Sequence, residues 1–317
     1  MNVYLSFDVE IWCDSWETLD QSFPASFERY VYGRSPLGEW ALPKTLEILQ
    51  RHGLRGVFFV EPLFSARFGP QFLERIVRLI RDAGQDVQLH LHTEWVDEIS
   101  PALIEDCARK RQHLSYYSLD EQTALIGHGR RLLEAAGSGS VTAFRAGSFA
   151  VNGDSYEALR RNGILIDSSL NRYYEVSGPD LREAHGFDVP FVTQGVSVFP
   201  VAVFRDGLGR ERPAQVNGTS FEELRDAMVK AEAQGATDFV IVSHNFEMLK
   251  PGRNDPDRWV VRRFERLCAF LQAHRSQFNV TGYSPVGPAP GSPTLQASTS
   301  LASTGIRYAE QLLRRFA

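Results

Sequence analysis

Hydrophobic and polar positions follow two alternating patterns along most of the chain. Short runs rich in β-branched and aromatic residues predict strands, and longer stretches with apolar residues every three or four positions predict helices. The predicted strands cover 3–7, 55–60, 86–91, 141–144, 163–166, 195–201, 238–243 and, more weakly, 278–281. The predicted helices cover 41–52, 70–83, 118–136, 153–162, 219–234 and 256–275. Alternation of this kind is typical of βαβ units, and seven or eight such units favour a parallel (β/α) barrel over an open sheet.

Two segments break this rhythm and divide the chain. Residues 11–40 form a long aromatic-rich insertion after the first strand, and long loops in compact domains are often functional. Residues 284–305 are rich in Pro, Gly, Ser and Thr and are predicted to be a linker. We therefore expect a catalytic barrel domain over 1–283, the linker, and a short amphipathic helix over 306–317.

The predicted C-terminal helix has an apolar face that needs a partner surface. This face comprises Ile306, Ala309, Leu312, Leu313 and Phe316. We expect it to dock on the domain or on a partner subunit, so an oligomer through this helix is one expectation. A membrane-surface role is the weaker alternative, because only three arginines support it.

Composition narrows the function classes. The chain has 317 residues, 43% of them hydrophobic, which suffices for one large α/β domain. The net charge of −5 and the absence of long basic runs predict no nucleic-acid partner. The three cysteines are far apart, which disfavours a disulfide framework or a zinc ribbon. The first strand begins at the second or third residue, with no signal peptide, and no apolar run is long enough to span a membrane; these features predict a cytoplasmic protein without a transmembrane segment.

Polar residues fall at the ends of five predicted strands. In parallel barrels the carboxyl ends of the strands converge on one mouth, where active sites lie. The residues in question are Asp8 and Glu10 after the first strand, His90 and His92 after the third, Arg145, Asp167 and His244. We expect these side chains to form one site.

The two histidines predict a metal site. His90 and His92 are two positions apart on an extended segment, so both rings project to the same side. A carboxylate from a neighbouring strand would complete the set, either Glu10 or Asp8, with Glu94 as a local alternative. Zinc suits imidazole and carboxylate ligands best, although manganese, iron, cobalt or nickel fit the same donors.

The remaining polar residues suit proton transfer. Asp8 and Glu10 lie on one side of the strand end, so one carboxylate can bind a metal while the other accepts a proton from metal-bound water. Arg145 can orient that carboxylate through a charge-assisted hydrogen bond. His244 follows a buried apolar strand and can protonate a leaving amine, and the nearby Asn245 and Glu247 could fix its tautomer.

Five short motifs at these positions resemble the polysaccharide deacetylase superfamily, carbohydrate esterase family 4. They are SFDVE (6–10), HLHTEW (90–95), RAGSFA (145–150), IDSSL (166–170) and SHNFEML (243–249), in the family's order. The similarity spans about residues 1–283. It implies a distorted, often seven-stranded (β/α) barrel and metal-dependent removal of N-acetyl groups from sugars.

The resemblance also implies a role for each residue. Asp8 matches the catalytic base, Arg145 the arginine that orients it, and His244 the general acid. Glu10, His90 and His92 take the metal-binding positions. The expected substrate-binding residues are Trp12, Trp95, Ser148, Asp167 and Ser168. In this scheme metal-bound water attacks the acetamide carbonyl, and His244 protonates the departing sugar nitrogen.

Three departures from the family pattern indicate a divergent branch. The chain has Asp-Val-Glu in place of adjacent aspartates, and its last motif starts Val-Ser-His-Asn in place of Leu-x-His. The two histidines are two apart, whereas the family commonly spaces them four apart. Either His92 or Glu94 is therefore the third ligand.

The sequence thus predicts a hydrolase that removes an N-acetyl or other N-acyl group in bacterial-type surface polysaccharide or glycan-precursor biosynthesis. Its expected substrate is a nucleotide-linked sugar, a lipid-linked glycan or a nascent polysaccharide. The aromatic insertion 11–40 would either stack on sugar rings or cover the core. One alternative is a metal-dependent amidase or deformylase acting on a non-sugar amide. An alternative of another class is a catalytically silent glycan-binding protein in a polysaccharide assembly complex.

Overall fold

The computed structural model describes residues 1–13, 15–107, 109–174, 176–177, 181, 189–284 and 297–316. The strands in these ranges are β1 (Asn2–Val9), β2 (Arg34–Ser35), β3 (Gly38–Glu39), β4 (Gly56–Val60), β5 (Asp86–Leu91), β6 (Ala143–Ala146), β7 (Ile166–Asp167), β8 (Phe191–Thr193), β9 (Val196–Val198), β10 (Val203–Arg205), β11 (Glu211–Pro213), β12 (Asp238–His244) and β13 (Asn279–Val280). The α-helices are α1 (Leu19–Phe27), α2 (Leu42–His52), α3 (Phe64–Phe68), α4 (Pro70–Asp82), α5 (Leu119–Ala135), α6 (Gly153–Arg161), α7 (Phe221–Ala233), α8 (Arg258–Ala273) and α9 (Leu301–Phe316).

Seven strands form one curled parallel sheet, in the order β12-β1-β4-β5-β6-β7-β9. β8 pairs antiparallel with β9 at one edge, and β13 pairs with the start of β1. The central strands β1, β4 and β12 are nearly continuous apolar runs because both of their faces are buried. The predicted distorted, seven-stranded parallel (β/α) barrel is therefore confirmed.

The distortion lies where the sheet returns on itself between β9 and β12. No regular strand fills this gap among the described residues, and irregular backbone bridges it instead. Ala202 N donates to Val240 O at 3.1 Å, and Val242 N donates to Ala214 O at 2.9 Å. Single backbone hydrogen bonds replace a full ladder here, so the barrel is only partly closed.

The helices around the sheet begin where the sequence places capping residues. Ser118 accepts a hydrogen bond from Glu121 N, and the Glu121 carboxylate accepts one from Ser118 N, which forms a capping box at the start of α5. Asn152 and Ser155 form the equivalent arrangement at α6. Within the described ranges, every helix is too short or too polar to cross a lipid bilayer.

The aromatic insertion after β1 mainly covers the core. It contains α1, whose Phe23 and Phe27 are each 1% exposed. Phe23 stacks on Phe68 at a centroid distance of 3.7 Å, and Phe72 packs edge-on against both phenylalanines of α1. Of the two roles expected for this insertion, α1 therefore has that of covering the core.

The C-terminal helix docks by its polar face, not by its apolar face. Arg307 is 2% exposed and donates to Glu223 on α7 at 3.1 Å and to Asp206 at 2.7 Å. Ile306, Leu312 and Leu313, by contrast, are 39%, 56% and 49% exposed. The expectation that the apolar face packs on the domain is therefore wrong, because buried ion pairs hold the opposite face.

The boundaries near the C-terminus differ from the sequence prediction. Helix α9 begins at Leu301, so the last residues assigned to the linker are helical. Most of the predicted linker, 285–296, lies outside the described residues. Docking of the exposed helix face on a partner subunit stays a prediction.

Candidate active site

Side chains from the carboxyl ends of β1, β5, β6 and β12 meet at one cavity of about 380 Å³. Strand register brings them together, because Asp8 pairs with His244 across β1 and β12, and His90 pairs with Arg145 across β5 and β6. The described residues that line the cavity are Asp8, Glu10, His90, His92, Gln112, His113, Ala146, Ser148, Phe149, Tyr174, Val176 and His244.

Glu10, His90 and His92 form a convergent set of ligand atoms. Glu10 Oε1 lies 2.9 Å from Nε2 of His90 and 2.9 Å from Nε2 of His92. All three residues are buried, and their ligand atoms lie within 4.8 Å of one another. Asp8, Glu10 and His244 form a second, overlapping group by the same measure. The arrangement matches the two-nitrogen, one-carboxylate donor set of many catalytic zinc sites.

The outer nitrogens of the two histidines show that the set fits a cation. His90 Nδ1 lies 2.8 Å from the carbonyl oxygen of Arg145, which can only accept a hydrogen bond, so Nδ1 carries the proton. In a neutral ring the lone pair of Nε2 then faces the Glu10 carboxylate, a repulsive contact unless a cation or a second proton lies between them. His92 has the same surroundings, because its Nδ1 lies 3.2 Å from Glu94 Oε2. Such outer partners commonly orient metal-binding histidines.

This geometry distinguishes the two candidates for the third ligand. Glu94 contacts the Nδ1 edge of His92, away from the point where Glu10, His90 and His92 converge. The arrangement favours His92 in the ligand position, with Glu94 as its outer partner.

Without a metal, protons would occupy this set. Burial opposes ionisation of Glu10, but the positive charge of His92 and hydrogen bonds from both histidines hold the pKa of Glu10 well below its usual range. Burial likewise lowers the pKa of His92, yet the negative charges and hydrogen bonds of Glu10 and Glu94 raise it well above its usual range. A cation would replace these protons, so metal binding would be weakened at low pH.

Asp8 is held by a buried arginine. Arg145 Nη1 donates to Asp8 Oδ1 at 2.7 Å, and neither side chain is more than 2% exposed. The other two guanidinium nitrogens also have acceptors, because Nε donates to Ser168 O and Nη2 donates to the hydroxyls of Ser6 and Ser168, each at 2.9 Å. The Phe59 ring lies 4.4 Å from the guanidinium carbon. This fixed frame orients the Asp8 carboxylate at the cavity.

His244 is held by a carboxylate on its outer side. Its Nδ1 lies 2.8 Å from Glu247 Oε1, and Ser243 Oγ donates to Glu247 Oε2 at 2.8 Å. Burial acts to lower the pKa of His244, but the hydrogen bond to Glu247 and the negative charges of Glu10, Glu247 and Asp8 raise it to about 9. His244 is therefore an imidazolium at neutral pH, able to donate a proton from Nε2 into the cavity.

The turn after β6 is strained where it lines the cavity. Ser148 and Phe149 have φ angles of 54° and 58°, in the left-handed region that non-glycine residues rarely adopt. The turn also passes close to the metal set, because a Cβ on Gly147 would lie 2.7 Å from His92 Nδ1. Only glycine at this position leaves room for the His92 ring.

The expected substrate-binding residues lie in different environments. Ser148 lines the cavity, whereas Trp12 stands beside it and donates from Nε1 to Glu10 Oε2 at 2.6 Å. Trp95, Asp167 and Ser168 are at most 2% exposed. Trp95 packs against Trp16, while Asp167 accepts from Ser169 and Ser168 holds Arg145. These three residues support the site from behind and lack surface for a substrate, which differs from the sequence prediction.

Sequence reasoning missed several residues of the site. Ser6 lies two positions before Asp8 on the same strand face, so strand periodicity was a usable indication of its role. Gln112, His113 and Tyr174 reach the cavity from loops, where no periodic pattern marks them.

Comparisons with known proteins support the fold. No family model and no curated protein sequence matches the chain. Among solved structures, a candidate polysaccharide deacetylase from Mycobacterium smegmatis has 20% sequence identity and a TM-score of 0.52, covering 93% of this chain and 94% of that one. A family 4 carbohydrate esterase from Streptomyces lividans in complex with acetate has 15% identity, a TM-score of 0.45 and coverages of 92% and 98%. A family 4 pseudoenzyme from Bacillus anthracis has 14% identity, a TM-score of 0.42 and coverages of 86% and 60%.

The first of these similarities carries the structural conclusion. Its alignment extends over nearly the whole length of both chains, so it includes the curled parallel sheet described above. The resemblance inferred from the five motifs is thus confirmed at the level of architecture: the chain has the (β/α)-barrel fold of a polysaccharide deacetylase.

Proposed function

We propose that the chain is a metal-dependent hydrolase that removes an N-acetyl or other N-acyl group from a saccharide. One observation carries this proposal: a convergent histidine–carboxylate set, an arginine-held aspartate and a cationic histidine all face one cavity. Each of these parts has a separate task in amide hydrolysis.

The metal would be held by Glu10, His90 and His92, whose donor atoms suit zinc first and also manganese, iron, cobalt or nickel. When bound, such an ion polarises a carbonyl oxygen and lowers the pKa of a water molecule. Glu94 and the Arg145 carbonyl oxygen orient the two imidazoles, and Trp12 holds the second carboxylate oxygen of Glu10.

Asp8 and His244 divide the proton transfers. Asp8 uses Oδ1 to accept from Arg145, which leaves Oδ2 to take a proton from the attacking water. His244 is protonated at neutral pH and delivers its Nε2 proton to the nitrogen that leaves. Asp8 and His244 are paired across β1 and β12, which supports a base and an acid that act on the same bond.

The saccharide assignment is supported by the rim of the cavity as well as by the motifs. Phe149 and Tyr174 stack on each other at a centroid distance of 5.5 Å, and Tyr174 is 44% exposed. An exposed aromatic face beside polar groups such as Gln112 and Ser148 suits a sugar ring. The fold shared with a candidate polysaccharide deacetylase agrees with this substrate class. We place the reaction in surface polysaccharide or glycan-precursor biosynthesis.

Acetate release is the test of this function. Wild type is expected to release acetate from an N-acetylated oligosaccharide, and Asp8→Asn and His244→Gln are expected to lose about 10²–10⁴-fold in kcat. Asp120→Asn is the control, because that carboxylate is exposed and remote from the cavity. Full activity in Asp8→Asn would contradict the proposed base.

Elemental analysis tests the metal independently of the substrate. Wild type soaked in zinc is expected to hold about one ion per chain, and His90→Ala is expected to lose it. His274→Ala serves as the control, because that histidine directly follows α8 and is exposed. Wild type without stoichiometric metal would overturn the hydrolytic proposal and favour the silent glycan-binding protein.

A further inference from the structure

A second cavity, of about 1100 Å³, lies beside the loop that follows His244. It is bounded by residues 250–258, the first turns of α8, the end of α9 and Leu37 from the β2–β3 hairpin. It shares no described lining residue with the candidate active site. We call it the basic groove, after the side chains described next.

Cationic side chains dominate the basic groove. Five of them line it, Lys250, Arg253, Arg258, Arg262 and Arg314, against two carboxylates, Asp255 and Asp257. The chain as a whole carries a net charge of −5, so this local excess of positive charge is opposite in sign to the rest of the molecule. A groove lined by one sign of charge concentrates ligands of the opposite sign.

One of the two carboxylates already has hydrogen-bond and ion-pair partners within the fold. Asp257 accepts from the backbone N–H groups of Trp259 and Val260 as the N-cap of α8, and it forms an ion pair with Arg314 at 2.6 Å. It therefore contributes little to neutralising the other guanidinium groups of the groove.

The positions of Arg258 and Arg262 are unfavourable for the stability of α8. They lie four residues apart on one face of α8, within its first two turns, and both are exposed. Like charges at this spacing repel each other, and cations near a helix N-terminus oppose the helix dipole. Neither guanidinium forms an ion pair with any described residue. Elsewhere on the surface, Arg160 and Arg161 share the carboxylate of Glu157.

An anionic ligand with a ring attached would offset this cost. Guanidinium groups bind phosphate oxygens in a planar, two-point geometry. Trp259, half-buried between the two arginines in sequence, lines the same groove and offers a ring face. A cavity of about 1100 Å³ accommodates a diphosphate with a sugar.

We propose that the basic groove binds the diphosphate of a diphosphate-linked saccharide. This inference rests on the proposed function, because it assigns the groove to the same substrate whose acyl group is removed next to His244. The chain linking the two sites is short: Lys250 follows His244 by only a few residues, and Phe246 between them packs on Tyr30. Either a nucleoside or a lipid can carry such a diphosphate, and the experiment separates these two sources.

The first experiment measures binding to the full chain by calorimetry, with inorganic pyrophosphate as the probe. Arg258→Gln/Arg262→Gln is expected to raise the Kd for pyrophosphate about tenfold or more, since charge-assisted hydrogen bonds are lost. Arg78→Gln/Arg81→Gln is the matched control, because these exposed arginines on α4 lie outside the groove. Equal Kd values for wild type and the groove variant, or no pyrophosphate binding to wild type, would overturn the proposal.

The second measurement compares acetate release from three N-acetylglucosamine substrates: a neutral disaccharide, a nucleoside diphosphate sugar and a short-prenyl diphosphate sugar. The groove variant is expected to lose about tenfold in kcat/KM on one or both diphosphate sugars and nothing on the disaccharide. The substrate that loses more identifies the source of the diphosphate. If the groove variant and wild type have equal kcat/KM values on each of the three substrates, the proposal is overturned while the deacetylase function stays intact. Loss of pyrophosphate binding without any acetate release would instead overturn the proposed function and support the groove.

Discussion

Arg145 donates to Asp8 from a position with no solvent access, at an Nη1–Oδ1 distance of 2.7 Å. The pair joins β6 to β1 across the inside of the curled sheet, although β4 and β5 lie between these two strands in the sheet. Burying both charges is costly, and the Nε and Nη2 groups of the guanidinium donate three further hydrogen bonds to oxygen acceptors, which offset part of this cost. The pair therefore holds the Asp8 carboxylate in a fixed orientation at the cavity.

Replacing Arg145 tests this relationship. Arg145→Met is expected to lower the free energy of unfolding by about 3–5 kcal/mol, because Asp8 would be left as an unpaired buried charge. Urea denaturation at neutral pH measures the change. Arg160→Met is the control: that arginine is 52% exposed in its pair with Glu157, where solvent screens the charges, and its loss is expected to leave the free energy of unfolding nearly unchanged. Similar losses in the two variants would contradict the assigned role of Arg145.

Gly147 is expected to be essential for the position of His92. In Gly147→Ala the new Cβ would lie 2.7–2.9 Å from atoms of the His92 ring, so the ring must leave the position in which its Nε2 faces Glu10. We expect zinc affinity to fall about 10–100-fold, as when an orienting partner of a metal ligand is lost. Competition with a chromogenic chelator measures the affinity. Gly305→Ala on α9 is the control, because a Cβ there meets no atom within 4 Å, and unaltered affinity in Gly147→Ala would refute the steric argument.

Glu94 and His92 are expected to affect metal binding to different degrees. His92→Ala removes an atom of the convergent set and should abolish stoichiometric zinc binding. Glu94→Gln removes only the outer partner of His92 and should weaken zinc affinity about 10–100-fold while keeping one ion per chain. Elemental analysis with a chelator titration separates these outcomes. The reverse order of effects would identify Glu94 as the ligand.

The titration of His244 is expected to depend on Glu247. In the metal-free protein its pKa is raised from 6.5 to about 9, so stability from its protonated form is fully present below about pH 6.5 and is lost as the pH rises through about 9. Glu247→Gln removes the carboxylate and should move this loss, and the alkaline fall of kcat, to lower pH. NMR titration of the imidazole and unfolding across this pH range report the shift.

The control for this titration is a remote carboxylate. Glu265→Gln removes an exposed partner of Arg51 and should leave the His244 titration unchanged. An unshifted His244 titration in Glu247→Gln would show that the Nδ1 contact does not set its protonation.

The sequence by itself determined the existence of the seven parallel strands of the sheet and the positions of the main polar groups, but not the short strands outside the parallel sheet. Buried parallel strands are apolar on both faces, so β4 and β12 are visible as continuous apolar runs, and the residue at which each run ends faces the mouth. This local rule placed Asp8, His90 and His244 at one edge before any contact was known. It holds because strand identity depends on residues that are adjacent in sequence.

Only the tertiary structure decided which polar groups meet and which side of a helix is covered. Trp95 is packed in the core instead of facing a substrate, and Glu94 lies behind His92. α9 docks through Arg307, because Glu223 and Asp206 supply two buried carboxylates that lie 84 and 101 residues earlier in the chain. Amphipathic periodicity reports the faces of a helix but not the distant side chains that will oppose them. Burial is a property of the assembled fold, and long-range ion pairs can outweigh the local pattern.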